Sequence, residues 1–328
     1  MRKDKKYRKD VWSSYWQKSV IESCAGFIQS DESDIERFWE VCSQEISSSD
    51  QVLDLCMGKG AVIKSILNQK TLAKEDFPLC YGVDLASYSE QLAWLEPYRA
   101  NVRLLLNTSI EDIPLKDNSI DHCVSQFGIE YALSEATYSE LLRLLKPKAK
   151  LSLVIHHSDS ILINVARQEI EQIDFLVDEI GVFEKVEKMI PFFVLLRNPA
   201  NISKLNKSAE AQHARQEYNQ NLTAIKANVE KFINPDILQE SLNIFSNCLQ
   251  LAKEKGKKTA VNFLKNYQKE LLDSSFRSNE LIDCAMGKAE LDSFLARLGK
   301  EMSIDYEISE LKSNHRLVAW GVKVNLRD

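Results

Sequence analysis

Between Gln51 and Ile63 a short apolar run of β-formers ends in an acid, passes two glycines one residue apart, and becomes helix-forming sequence. The stretch is Gln51-Val52-Leu53-Asp54-Leu55-Cys56-Met57-Gly58-Lys59-Gly60-Ala61-Val62-Ile63. It reads as strand, tight turn and helix. In an open α/β sheet a ligand lies beyond the carboxyl ends of the strands, and a glycine turn leaving the first strand lets backbone approach that ligand with no Cβ in the way. Two common nucleotide turns are excluded by spacing. A P-loop needs four residues between its glycines and then Lys-Ser/Thr, and a dinucleotide fingerprint needs a small residue three positions after Gly60, where Ile63 stands.

Residues 51–157 alternate between the two patterns: strand 51–56, helix 59–69, strand 80–84, helix 88–98, strands 102–106 and 120–125, helix 135–146, strand 150–157. The strands are apolar runs rather than strict alternations, which predicts a parallel sheet covered on both faces. After His157 the β signal stops, and from Ile161 to about Leu272 helical spacing recurs, with breaks expected at Asn198-Pro199 and Asn234-Pro235. A helix over 289–298 and two strands, 301–311 and 316–326, then resume the sheet.

Four segments in register resemble the class I S-adenosylmethionine (SAM)-dependent methyltransferases. Asp54, Gly58 and Gly60 match that family's motif D-x-G-x-G-x-G, with Cys56 at its first glycine. Tyr81-Gly82-Val83-Asp84 resembles the strand whose terminal acid binds the ribose hydroxyls of SAM. Ser109-Ile110-Glu111 resembles the adenine-side loop, and Leu141 to Pro147 the helix end before strand five. Departures are Cys56, Ser109 where an acid is frequent, and Lys148-Ala149 where Gly-Gly is usual. The resemblance implies a doubly wound, mostly parallel seven-stranded α/β sheet. It covers 51–157 and 289–328 and does not extend to the rest, so the chain is expected to divide into an N-terminal helical prefix (1–50), a SAM-binding core (51–160), a helical insertion after strand five (161–285), whose place at the carboxyl edge of the sheet suggests a lid and acceptor-recognition unit, and a closing helix and strand pair (286–328). SAM is the implied cofactor, with Asp54, Gly58, Gly60, Asp84, Ser109, Ile110, Glu111 and Gln126 as its implied contacts.

Methyl transfer from a sulfonium is an in-line displacement that needs positioning and exclusion of water, with a base where the acceptor must lose a proton. Candidates for the acceptor side stand at the ends of strands four and five: Glu130, Tyr131, His156 and His157. Neighbouring strand residues face opposite ways, so at most one of the two histidines is expected to enter the site, and the strand-four exit is ranked above both.

The seven cysteines are scattered with no C-x-x-C pair and only five histidines accompany them, so neither a disulfide framework nor a metal site is expected; reduced thiols fit a cytoplasmic protein. A net charge of -6 argues against a nucleic-acid partner, and the apolar stretch Met189–Leu196 is too short to span a bilayer. A small-molecule acceptor is the leading expectation. A protein or RNA acceptor docked on the insertion, or a SAM-binding regulator without turnover, are the alternatives. The basic cluster from Arg2 to Lys9 reads as a frayed, solvated terminus. Ser33 and Glu36 have capping-box spacing for a helix from about 34 to 46, and the aromatics of residues 11–25 either cover a sheet edge or fold over the cofactor pocket.

Overall fold

The computed structural model describes residues 5–18, 33–88 and 92–327. Seven strands, β1 (Gln51–Leu55), β2 (Leu79–Asp84), β3 (Val102–Leu106), β4 (Ile120–Gln126), β5 (Leu145–His156), β6 (Ile304–Ser313) and β7 (Arg316–Leu326), form one sheet in the order β3-β2-β1-β4-β5-β7-β6. Pairing is parallel from β3 through β5, and β7 runs antiparallel between β5 and β6. The strand order reverses between β1 and β4, where open sheets of this kind leave a crevice for a ligand.

Both faces of the central strands are covered, which is why β1, β2 and β4 read as mainly apolar runs, whereas the edge strand β6 is polar and largely exposed. Val52 and Val124 join one core with Ile63, Ile66 and Trp39, while their strand neighbours Leu53 and Cys123 join the other with Leu141, Leu295 and Val322. The first face is packed by α2 (Asp34–Gln44) and α3 (Ala61–Ala73), the second by α4 (Glu135–Leu144) and α11 (Lys288–Glu301).

Several local expectations are corrected. The described part of the N-terminal basic cluster, Lys5 to Lys9, is helical, since α1 runs from Lys5 to Lys18; residues 2–4 lie outside the described residues. Ser33 precedes α2 without a side-chain cap; its backbone bridges to Ser313, and the Asp34 carboxylate accepts the Lys312 N–H at 2.9 Å, so the helix start is tied to β6 instead. The helix expected over 88–98 is a 3-10 segment, Ala93–Tyr98, with Pro97 inside it; residues 89–91 lie outside the described residues. β5 begins at Leu145 rather than 150, because the Lys146-Pro147 turn is absorbed as a register shift against β4. Lys148 there has φ 64, a left-handed backbone at the position where the resembled family favours glycine.

The chain divides into two compact units, Met1–Asn164 with Leu281–Asp328, and Val165–Glu280. The second is helical. After α5 (Ile161–Asp174) and a π-helical turn (Phe175–Glu179) come α6 (Val182–Leu195), α7 (Ile202–Lys207), α8 (Ala209–Val229), α9 (Asp236–Lys255) and α10 (Lys257–Cys284). Its core joins Phe183, Ile190, Phe245, Leu264 and Tyr267, and the apolar stretch around Ile190 belongs to that core, with Phe192, Phe193 and Val194 packed against it. Breaks fall at Pro199 and Pro235.

Candidate active site

The turn after β1 is held in a left-handed conformation at three positions: Cys56 (φ 56), Gly58 (φ 54) and Gly60 (φ 79). Cys56 adopts with a side chain what glycine adopts freely. At Gly58 only glycine fits, since a Cβ there would lie 2.6 Å from Cζ2 of Trp16. The Gly58 N–H donates to Asp84 Oδ2 at 2.8 Å, and its carbonyl accepts the Tyr88 hydroxyl. Asp84 Oδ1 accepts the Ala86 N–H at 2.7 Å, so one carboxylate at the end of β2 ties its own loop to the glycine turn. β4 exits close beside β1: a Cβ on Gly128 would meet Cβ of Cys56 at 2.6 Å, and Ser125 Oγ donates to the Leu55 carbonyl at 2.8 Å while accepting the Ile129 N–H at 3.0 Å.

Three carboxylates converge here. Asp54 is 1% exposed and neither carboxylate oxygen has a hydrogen-bonding partner. Burial, then the neighbouring Asp84 charge, push its pKa well above the usual carboxylate range; the Ile63 N–H at the start of α3 opposes this without reaching hydrogen-bond geometry. Asp84 is pushed up to about 6 by burial, against the two N–H groups that it accepts. Cys56, partly exposed between them, has its thiol held well above its ordinary value by burial and then by Asp84, Glu130 and Asp54, with Arg8 of α1 opposing. Such a cluster favours a cationic ligand.

On the β4 side, Glu130 lies in the 3-10 turn Ile129–Ala132 and reaches the end of β5. Its Oε1 accepts both the His156 backbone N–H at 3.0 Å and His156 Nδ1 at 2.7 Å, and both side chains are fully buried. The imidazole packs on Phe127 (4.3 Å between centroids) and edge-on to Tyr131 (5.7 Å). His157 faces the other way: it stacks on Trp320 at 4.2 Å, and its Nδ1 accepts the Asp159 N–H. Burial holds its pKa below the ordinary histidine value, with Asp159 and Glu310 opposing.

Arg8, Trp12, Trp16, Asp84, Phe127 and Tyr131 line a cavity of about 90 Å³ together with Cys56, Leu85, Ala86, Gly128 and Ala132. Helix α1 lies across it. Lys5 pairs with Glu111 at 2.7 Å, Arg8 Nη2 donates to the Tyr131 carbonyl at 2.6 Å, Lys9 bonds Asn107, and Ser13 Oγ accepts the Ser87 N–H at 2.9 Å. Of the residues expected from sequence, Asp84 and Tyr131 line this cavity. Asp54, Gly58, Gly60, Glu130 and His156 stand directly behind those that do. Ser109, Ile110 and Glu111 do not line it: Ile110 is buried in the core under α4, and Glu111 is taken up by Lys5, Ser109 and Ser134. Gln126 accepts the Trp39 indole N–H, and His157 is turned to Trp320, a residue of the second core. Trp12 and Trp16 belong to the 11–25 stretch for which folding over the pocket was one of two expectations, whereas Arg8 and Tyr88 were not expected at the site. The signal on α1 was the i, i+4, i+8 spacing of Arg8, Trp12 and Trp16, which puts them on one helix face.

Among the described residues no group of three His, Cys, Asp or Glu side chains is arranged to hold a metal ion, and no helix is long and apolar enough to cross a membrane. A family model described as a methyltransferase domain matches residues 53–153. Solved structures similar to this chain include a Haloferax volcanii methyltransferase in complex with its activator Trm112 (19% identity, TM-score 0.34, 44% of this chain and 60% of that one). Another is a putative SAM-dependent methyltransferase from Methanococcus maripaludis (12%, 0.39, 89% and 86%). A third is the Burkholderia thailandensis 1,6-didemethyltoxoflavin-N1-methyltransferase (16%, 0.32, 39% and 55%). The match to the first therefore spans three-fifths of that relative. No curated protein matches the chain. Residues 53–153, which match a methyltransferase domain, lie in the seven-stranded sheet whose β7 runs antiparallel, and SAM is the cofactor that goes with that domain.

Proposed function

We propose that this chain transfers the methyl group of SAM to a small-molecule acceptor. The observation that carries the cofactor reading is the buried, unpartnered Asp54 carboxylate beneath a left-handed glycine turn, with Asp84 facing the cavity beside it. Buried charge without a partner is costly and is retained where a ligand supplies the counter-charge. Asp54 and the Gly58–Gly60 turn would hold the cationic methionyl end. Asp84 would accept the ribose hydroxyls on the lone pairs left free by its two backbone bonds. SAM supplies an electrophilic methyl on a sulfonium; the chain supplies alignment and a dry wall of aromatic rings.

A small acceptor is favoured by what encloses the cavity. Trp12, Trp16, Phe127 and Tyr131 form a compact aromatic enclosure with Arg8 at its rim, the build of a small-molecule site rather than of an open channel for a polymer. The test is label transfer from methyl-tritiated SAM to a cell extract divided by size. Label in the low-molecular-weight fraction is expected. Label confined to protein or RNA would replace the small-molecule reading with a polymer acceptor, and absence of SAM binding by calorimetry would remove the cofactor reading itself.

A further inference from the structure

We propose that Glu130 and His156 act as one unit in the transfer, His156 taking a proton from the acceptor through Nε2 and Glu130 positioning the ring. The acceptor is then a compound that must lose a proton when methylated, such as an alcohol, a phenol or an enol. This rests on the methyltransferase reading above and names its substrate class.

The geometry points there in three steps. An ionised carboxylate only accepts hydrogen bonds, so the 2.7 Å contact from Glu130 Oε1 places the ring proton on Nδ1 and leaves Nε2 as the lone-pair nitrogen of the neutral imidazole. The same oxygen accepts the His156 backbone N–H at 3.0 Å, which fixes the ring's direction from two points. Both side chains are 0% exposed, yet among the described residues Nε2 of His156 and Oε2 of Glu130 have no hydrogen-bonding partner. A purely structural tie at this depth would be better made by apolar packing, because unsatisfied buried polar atoms and charges weaken a fold.

The two rings that touch the imidazole, Phe127 and Tyr131, also line the cavity, so the imidazole packs directly behind that part of its wall. Phe127 has φ 54, a strained backbone for an aromatic residue, and its N–H is pinned to the Val154 carbonyl at 2.8 Å. Tyr131 is the ring that would turn to let an acceptor reach Nε2. In the step, the acceptor oxygen bonds to the methyl carbon as the carbon–sulfur bond breaks and its electron pair remains on sulfur. The acceptor's proton passes to Nε2, and the imidazolium is stabilised by the Glu130 carboxylate until the proton leaves to solvent. His157, stacked on Trp320 at the other face, has no part in it.

The first test needs no acceptor. Long-range proton–nitrogen NMR on the full chain labelled with ¹⁵N-histidine reports the tautomer; His156 is expected as the Nδ1–H form, and that pattern should be lost in Glu130→Gln. A His156 ring protonated on Nε2 in the wild-type chain at neutral pH would overturn the proposal. The second test separates base from tie. His156→Asn keeps an N–H donor near the position of Nδ1 and removes Nε2, so SAM affinity by calorimetry should stay within about twofold, while transfer to the low-molecular-weight extract fraction should fall about 10²- to 10⁴-fold. The lost rate should return as pH rises through the acceptor's own ionisation, which a structural defect would not produce. His157→Phe should keep the wild-type rate. Full activity in His156→Asn, or a methylated product that is a sulfonium or a quaternary ammonium by mass spectrometry, would overturn the proposal. A wild-type chain that fails to bind SAM would instead overturn the methyltransferase reading, with the tautomer still deciding the pairing.

Discussion

Trp16 lies against Gly58 so closely that two atoms of its indole stand 2.6 and 2.7 Å from where a Cβ on Gly58 would be. The glycine turn is therefore shaped on one side by β1 and Asp84 and on the other by a helix some forty residues upstream in the chain.

A substitution at Gly58 tests this relationship. Gly58→Ala adds left-handed strain of about 1–2 kcal/mol and overpacking of about 1–3 kcal/mol against the indole. Combined with Trp16→Ala, the overpacking part should disappear and the strain remain. Urea unfolding of the two single variants and the double variant should give a coupling of about 0.5–3 kcal/mol. Additive losses would mean that α1 does not rest on the turn in solution.

Entry of SAM should be limited by α1. Pockets that hold ligands of this size are typically roughly 300–1,000 Å³, and the cavity under α1 is about 90 Å³. Stopped-flow tryptophan fluorescence should show an association rate that saturates with SAM concentration in the wild-type chain. In Trp16→Ala, which leaves a smaller plug, the plateau should rise, and dissociation should quicken as well. A rate strictly linear in SAM concentration would rule out a closed starting state.

Asp54 should stabilise the protein only when ligand is bound. Asp54→Asn removes a buried carboxyl group whose ionisation burial opposes and which has no hydrogen-bonding partner among the described residues, so the ligand-free chain should gain about 1–3 kcal/mol and melt at higher temperature. Adding SAM should raise the wild-type melting temperature and leave that of the variant almost unmoved. A variant less stable than wild type without ligand would show that Asp54 is satisfied in some other way.

The pH dependence of binding should follow Asp84, whose pKa is pushed up to about 6 by burial. In the proposed binding mode its charged form is the one that would accept two ribose hydroxyls, so affinity for SAM should weaken as pH falls below about 6, by up to about tenfold per unit. The ligand-free chain responds in the opposite sense. A raised carboxylate contributes stability that is fully present below its unfolded pKa near 4 and is lost as pH rises through about 6. Asp84→Ala should weaken binding by about 2–4 kcal/mol for two charge-assisted bonds and flatten the profile, as calorimetry across pH 5–8 would record.

The sheet was legible in the sequence because its central strands are buried on both faces and so appear as apolar runs, and because the turn from Asp54 to Gly60 is followed in register by further matching segments. The acid at Asp84 could be placed for the same reason: it ends such a run. What sequence could not give was pairing across elements. Glu130 and His156 lie on different strands' ends and were ranked as rivals, whereas the turn after β4 folds back so that one binds the other. Lys5, Arg8 and Lys9 looked like a solvated tail because charge dominates their composition; their partners Glu111, Asn107 and the Tyr131 carbonyl are distant in the chain and become neighbours only at the strand ends. Pro147 was taken as a strand boundary, and a register shift absorbs it.

The position of β7 has a consequence in time. It pairs with β5 from Lys150 to His156, and the whole of 165–280 is threaded between those two strands in the chain. During synthesis the helical unit, whose contacts are close in sequence, emerges and can condense while β5 is still an open edge. That edge carries Ile155 and His156, so the last strands delivered both shield a sticky ribbon and bury the histidine that Glu130 holds. A chain stopped before Arg316 would keep the glycine turn and Asp84, and would expose the very edge most prone to pairing with another copy.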